Sequence, residues 1–141
     1  MKCAELMKTD VECSRAGDSV ELVAKKMRDR NIGFMPVCNA QGVAIGTVTD
    51  RDLTLRVLAE RRSNDTRVEE VMSSDVISCR AEDELSSAEA LMSKHKKSRM
   101  LIADEQGHPL GVISLSDIAK TERSGTASAI LRSVAQRESH T

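Results

Sequence analysis

The sequence is almost without aromatic residues, Phe34 being the only Phe, Tyr or Trp among 141. The stacking platforms that commonly hold single-stranded nucleic acid are therefore missing. An excess of one charge is missing too. Twenty-one Lys and Arg stand against 22 Asp and Glu for a net charge of -1, which supplies no global attraction toward nucleic acid or an anionic membrane. No stretch approaches the roughly 18 uninterrupted apolar residues of a membrane span. Met1-Lys2-Cys3-Ala4-Glu5 also lacks the apolar run of a signal peptide, so the sequence predicts a soluble cytoplasmic protein with neither a nucleic-acid nor a membrane partner. Cys3, Cys13, Cys38 and Cys79 form no CxxC pair, and His95, His108 and His140 lack metal-ligand spacing, which argues against zinc. His95 has no neighbouring Ser, Cys or Asp arrangement suited to nucleophilic catalysis, and no enzyme is predicted.

What is present is a repeat. Shifted by 65 residues, Glu5–Leu53 lies on Glu70–Ile118 without a gap, and 13 of the 49 paired positions are identical. Chance pairing at ordinary composition gives about three, so the chain holds two copies of one structural unit. Units of about fifty residues are marginal alone, which predicts that the copies share a core. The expected boundaries are 1–61 for the first unit, 62–65 for a linker, 66–123 for the second unit and 124–141 for a helical extension.

Each copy reads strand, helix, strand, turn, strand, helix. In the first, Asp10–Ser14 is a strand candidate. Asp18 and Glu21 have the spacing of a capping box, and Val20, Val23, Ala24 and Met27 share one helical face. Phe34–Cys38 and Val43–Thr49 flank the turn residues Asn39-Ala40-Gln41-Gly42 as a hairpin, and a helical pattern with Leu53, Val57 and Leu58 inward runs from Asp50 to about Arg61. The second copy repeats the order: a strand near Asp75–Cys79, a helix from Glu84 to about Lys94 with Leu85, Ala88 and Met92 inward, a run Met100–Ala103, a strand Leu110–Ser114 and a helix from Leu115. Thr66 and Glu69 form another capping-box pattern. Ala127, Ile130, Leu131 and Val134 mark an amphipathic segment with no counterpart in the first copy.

The hairpin-to-helix junctions, Gly46-Thr47-Val48-Thr49-Asp50-Arg51-Asp52 and Gly111-Val112-Ile113-Ser114-Leu115-Ser116-Asp117, are both G-x-x-S/T-x-x-D. Two readings suit this pattern. A hydroxyl beside unpaired helix-start amides attracts phosphate, and a carboxylate one turn on accepts from ribose hydroxyls. Alternatively, the hydroxyl and the acid simply cap the helix. Arg51 adds a possible charge-assisted phosphate contact that Ser116 cannot make.

These residues resemble the tandem CBS-domain family, the paired arrangement called a Bateman module. The resemblance is carried by Glu5-Leu6-Met7 and Glu70-Val71-Met72, by Met35-Pro36-Val37, and by Gly46, Thr49 and Asp52 with Gly111, Ser114 and Asp117. The spacer from Leu58 to Met72 is similar to that of small stand-alone bacterial members. The resemblance implies an α/β fold of two β-α-β-β-α units packed through their sheets with pseudo-twofold symmetry, association into a disc-like dimer, and two clefts for an adenosine-type ligand of the AMP, ADP, ATP or S-adenosylmethionine class. Thr49 and Asp52, and Ser114 and Asp117, would hold phosphate and ribose. Adenine would lie against Phe34-Met35-Pro36 near Cys13, or against Arg99-Met100-Leu101 near Ser78, with Arg99 a further phosphate contact. The implied function is regulatory and non-catalytic: an adenine nucleotide acts as ligand rather than required cofactor, the chain forms a homodimer, and occupancy is signalled to an unidentified protein. Pro36 faces Leu101 across the repeat, and Arg51 faces Ser116, so the clefts should differ in affinity with the first stronger.

Cys13 and Cys38 close two strands expected to run side by side, which brings their sulfurs toward disulfide reach. Buried reduced thiols are the alternative. A second functional reading follows: a ligand-free dimeric interaction or stress-response protein with a redox-sensitive Cys13/Cys38 pair.

Overall fold

The computed structural model describes residues 1–121 and Val134. A short helix α1 (Cys3–Leu6) precedes strand β1 (Ser14–Arg15), helix α2 (Val20–Arg30), strands β2 (Phe34–Cys38) and β3 (Ala44–Thr49) and helix α3 (Asp50–Leu53). The second repeat supplies β4 (Ser78–Cys79), α4 (Leu85–His95), β5 (Arg99–Ala103), β6 (Pro109–Ser114) and α5 (Leu115–Thr121). Each repeat is thus β-α-β-β-α, with sheet orders β1-β2-β3 and β4-β5-β6. The pairs β1/β2 and β4/β5 are parallel, and β2/β3 is antiparallel. A parallel pair needs a crossover, which α2 and α4 provide. Of the predicted extension, Val134 is helical and buried among Cys3, Leu85 and Met92. Ala127, Ile130 and Leu131 lie outside the described residues.

Several local expectations shift. The first strands are only two residues long, Ser14–Arg15 and Ser78–Cys79, where Asp10–Ser14 and Asp75–Cys79 were expected. The α2 cap is Ser19, whose hydroxyl accepts from Leu22 N, while Asp18 accepts from Arg15 N in the turn before it. Thr66 likewise donates to the Ser63 carbonyl instead of capping. Val20, Val23 and Met27 are buried, but Ala24 is exposed and its repeat equivalent Glu89 is buried. The helix after β3 widens. Thr54–Leu58 is a π-type segment closed by Ala59 N to Thr54 O, with the Thr54 hydroxyl bound to the Asp50 carbonyl. The wider turn buries Val57 and leaves Leu58 75% exposed.

By packing, the chain forms two compact units that are discontinuous in sequence. One holds Val11–Val76 with Gly107–Pro109, and the other holds Met1–Asp10, Ile77–Gln106 and the described residues from Leu110 on. The leading segment of each repeat has therefore changed places. Ser73 and Thr47 exchange two backbone hydrogen bonds of 2.9 Å, and their repeat equivalents Lys8 and Val112 exchange two of 3.0 Å. Gly46 and Gly111 permit this approach: a Cβ on Gly46 would collide with Met72 Sδ and lie 2.8 Å from the Ser73 carbonyl, and one on Gly111 would lie 2.7 to 2.9 Å from the Met7 side chain. Gly42 and Gly107 turn the two hairpins at φ of 78° and 89°, where a side chain is strained. Each unit has its own apolar core, with Met35, Val37 and Val48 central to one and Met100, Ile102 and Ile113 to the other.

Candidate functional site

At each repeat's last strand-to-helix junction the pattern residues meet in a reciprocal box. Thr49 N donates to Asp52 Oδ2 at 2.9 Å, and Asp52 N donates to Thr49 Oγ1 at 3.1 Å. Ser114 and Asp117 repeat this at 3.2 and 3.1 Å. Capping is thus realised in both copies, and it uses only one oxygen of each carboxylate. The other oxygen faces a cation. Asp52 Oδ1 is 3.9 Å from Arg56 Nε, and Asp117 Oδ1 is 3.6 Å from Lys8 Nζ. Burial pushes the Asp117 carboxyl up, but the Ser114 bonds and the Lys8 charge outweigh it and hold the group below the usual aspartate value.

The sheets place the remaining expected residues nearby. Phe34 pairs with Thr49 across β2/β3, and Pro36 pairs with Thr47. The pleat sends Met35 to the opposite face, where it is fully buried and its Sδ accepts the Ser14 hydroxyl at 2.9 Å. Cys13 directly precedes Ser14, the partner of Val37. The Arg51 amide donates to Asp50 Oδ1. In the second copy Ser78 pairs with Leu101, Met100 is 1% exposed, and Arg99 is exposed with its guanidinium on the Ser98 hydroxyl. The structure thereby groups Thr49, Asp52, Phe34 and Pro36 in one unit, and Ser114 with Asp117 in the other, with Met35 and Met100 turned into the cores.

Arg56 and Lys8 are additions that sequence reading did not single out. Arg56 stands at the i+4 spacing from Asp52 that signals a helical ion pair, and its Nη1 also donates to the carbonyls of Val71 and Met72. Lys8 lies over a hundred residues from Asp117 in sequence, and nothing local marks it.

All four cysteines are free thiols. The Cys13 and Cys38 thiols lie close enough to shift one another's ionisation. Burial raises both, and the Cys13 neighbour helps push Cys38 up to about 12. Since the thiolate is the nucleophile, this keeps Cys38 in its unreactive thiol form at pH 8. Alkylation of native protein by iodoacetamide at that pH should therefore label Cys38 at least about 100-fold more slowly than in urea-unfolded chain, read by peptide mass spectrometry; equal rates would contradict the burial.

A protein-family model described as the CBS domain matches residues 3–59 and again 68–123. The chain is 33% identical over 137 residues to the CBS domain-containing protein YhcV of Bacillus subtilis (strain 168), covering 96% of each. Among solved structures, the CBS domain protein PAE2072 from Pyrobaculum aerophilum, complexed with AMP, is similar with a TM-score of 0.79 at 22% identity, covering 96% of this chain and 99% of that one. The CBS domain pair of MJ0100, in complex with 5'-methylthioadenosine and S-adenosyl-L-methionine, is similar with a TM-score of 0.78 at 21% identity, covering 86% and 94%.

Proposed function

The chain belongs to the CBS-domain family of non-catalytic regulatory modules, and from that premise we propose that it binds an adenosine-type ligand at its two junctions and signals occupancy to a partner protein. The observation that carries this reading is the arrangement at Asp52 and Asp117. In each, one oxygen is committed to the box and the second is oriented toward a cation. That second oxygen can accept the two hydroxyls of a ribose, while Thr49 or Ser114 offers a hydroxyl toward phosphate. Phe34, half-buried, supplies apolar contact for adenine in the first site, with Pro36 buried on the same strand face behind it. The ligands carried by PAE2072 and MJ0100 support the adenosine class.

A ligand at either acid competes with Arg56 or Lys8 for it. Arg56 also holds the carbonyls of Val71 and Met72, so occupancy biases how firmly that exchanged segment is held. This is a population shift with a local origin. The functional form is a homodimer read by another protein.

Titration calorimetry with AMP, ADP, ATP, NAD and S-adenosylmethionine tests the proposal. Asp52→Ala and Asp117→Ala should each remove one binding event, weakening it more than about tenfold, while loss of the cap costs only about 1 kcal/mol of stability. Wild type giving neither heat nor thermal shift with any of the five would end the sensor reading.

The neighbouring thiols favour one alternative, a dithiol switch in which hydrogen peroxide takes the two thiol hydrogens, forming one Cys13–Cys38 disulfide and two waters. Thiol counting before and after peroxide should then differ by two; an unchanged count removes it.

A further inference from the structure

We propose that Lys8 gives the second repeat's site a preference for a phosphate-bearing adenosine ligand, a contribution that Ser73 at the equivalent position does not make in the first repeat's site. The inference rests on the nucleotide reading above. It concerns phosphate preference at each site, a quantity separate from overall affinity.

Positions 8 and 73 are equivalent in both sequence and space. They are 65 residues apart, and each forms the same two-bond bridge to the strand leading into its site. Lys8 bridges to Val112, two residues before Ser114, and Ser73 bridges to Thr47, two residues before Thr49. The backbone of each is thereby fixed beside the hydroxyl that would meet phosphate. Only the side chain differs: a cation in one site, a neutral hydroxyl in the other.

Lys8 Nζ rests 3.6 Å from Asp117 Oδ1, with 74% of its side chain exposed. An ion pair that open to water contributes little to stability, so folding gives no strong reason for a lysine there. When a ribose takes Asp117 Oδ1, the ammonium is released within reach of Ser114, where a phosphate gains its charge. The first site has no equivalent mobile cation at this position. Arg56, beside Asp52, has its guanidinium on two backbone carbonyls. The residue that follows Thr49 is the carboxylate Asp50, where the second repeat has Leu115.

The experiment measures the affinity ratio of AMP to adenosine at each site separately, using full-length chain with Asp52→Ala to leave the second site and Asp117→Ala to leave the first. In the Asp52→Ala protein, AMP should be preferred at least about tenfold, with the preference shrinking as salt rises. Adding Lys8→Ser should lower that ratio to near one, and Lys8→Arg should retain it. In the Asp117→Ala protein, Ser73→Lys should raise the preference above that of the unsubstituted Ser73 chain. Unchanged ratios in Lys8→Ser and Ser73→Lys would overturn the inference and leave nucleotide binding intact. Failure of wild type to bind either AMP or adenosine would overturn both.

Discussion

Gly46→Ala should lower the stability of the folded chain by about 3 kcal/mol, against about 2 kcal/mol for Gly111→Ala. The two glycines are repeat equivalents and both lie under an exchanged leading segment, so a simple symmetry argument would assign them equal costs. Their neighbours differ in a way that matters. A methyl on Gly46 meets Met72 Sδ and also the Ser73 carbonyl at 2.8 Å, and that carbonyl is hydrogen-bonded to Thr47 and cannot retreat without breaking the bridge. A methyl on Gly111 meets Met7 Sδ, Cγ and Cβ at 2.7 to 2.9 Å; a new rotamer withdraws Sδ and Cγ, while the Cβ moves only with its backbone. Urea unfolding of both variants provides the comparison through the shift in midpoint at constant slope. Equal losses would mean that the bridge, and not the side chain, gives way in both.

Met35→Ala should cost about 4 kcal/mol, within the range for emptying a buried methionine site. The more informative substitution is leucine, which keeps the volume. Met35→Leu should cost about 2 kcal/mol because the Ser14 hydroxyl loses its acceptor in a place without water. Ser14 is 1% exposed, and its Oγ lies 2.9 Å from Met35 Sδ. Met100→Leu should cost less than about 1 kcal/mol, since the residue equivalent to Ser14 is Cys79 and the sulfur there is a poor hydrogen-bond donor. Equal costs for the two leucine variants would show that the Ser14 contact contributes nothing.

The alternation of helices and hairpins was readable because it rests on local chemistry. The apolar positions Val20, Val23 and Met27 have helical spacing, Gly42 and Gly107 supply the positive φ of the turns, and the duplicated order confirms each assignment by the other. The junction acids were legible as helix caps and as ligand groups, and both capping boxes form. Three features escaped for physical reasons. The exchanged segments join Lys8 to Val112 and Ser73 to Thr47 through backbone bonds, which carry no side-chain signature. The π-type turn at Thr54–Leu58 depends on a shift from i+4 to i+5 bonding, invisible to a periodicity that differs by less than one residue per turn. The left-handed ends of α2 and α4 fall on Asn31 and on its equivalent Lys96; asparagine is a known helix stop, whereas lysine gives no such sign. Glu89, buried at 3% exposure where the first repeat has Ala24, shows how far equivalent positions can diverge in environment.

The exchanged leading segments also set a timetable for synthesis. Residues 1–10 leave the ribosome before anything they pack against, since their neighbours are Ile77–Gln106 and the described residues from Leu110 on. Meanwhile Val11–Val76 can assemble almost completely around its own core, lacking only Gly107–Pro109. One unit is thus nearly closed while the opening segment of the chain still waits for its strand. Contacts of such long sequence separation form slowly, and during that interval Cys3 and Leu6 remain uncovered, the last apolar residues of the chain's beginning to find shelter.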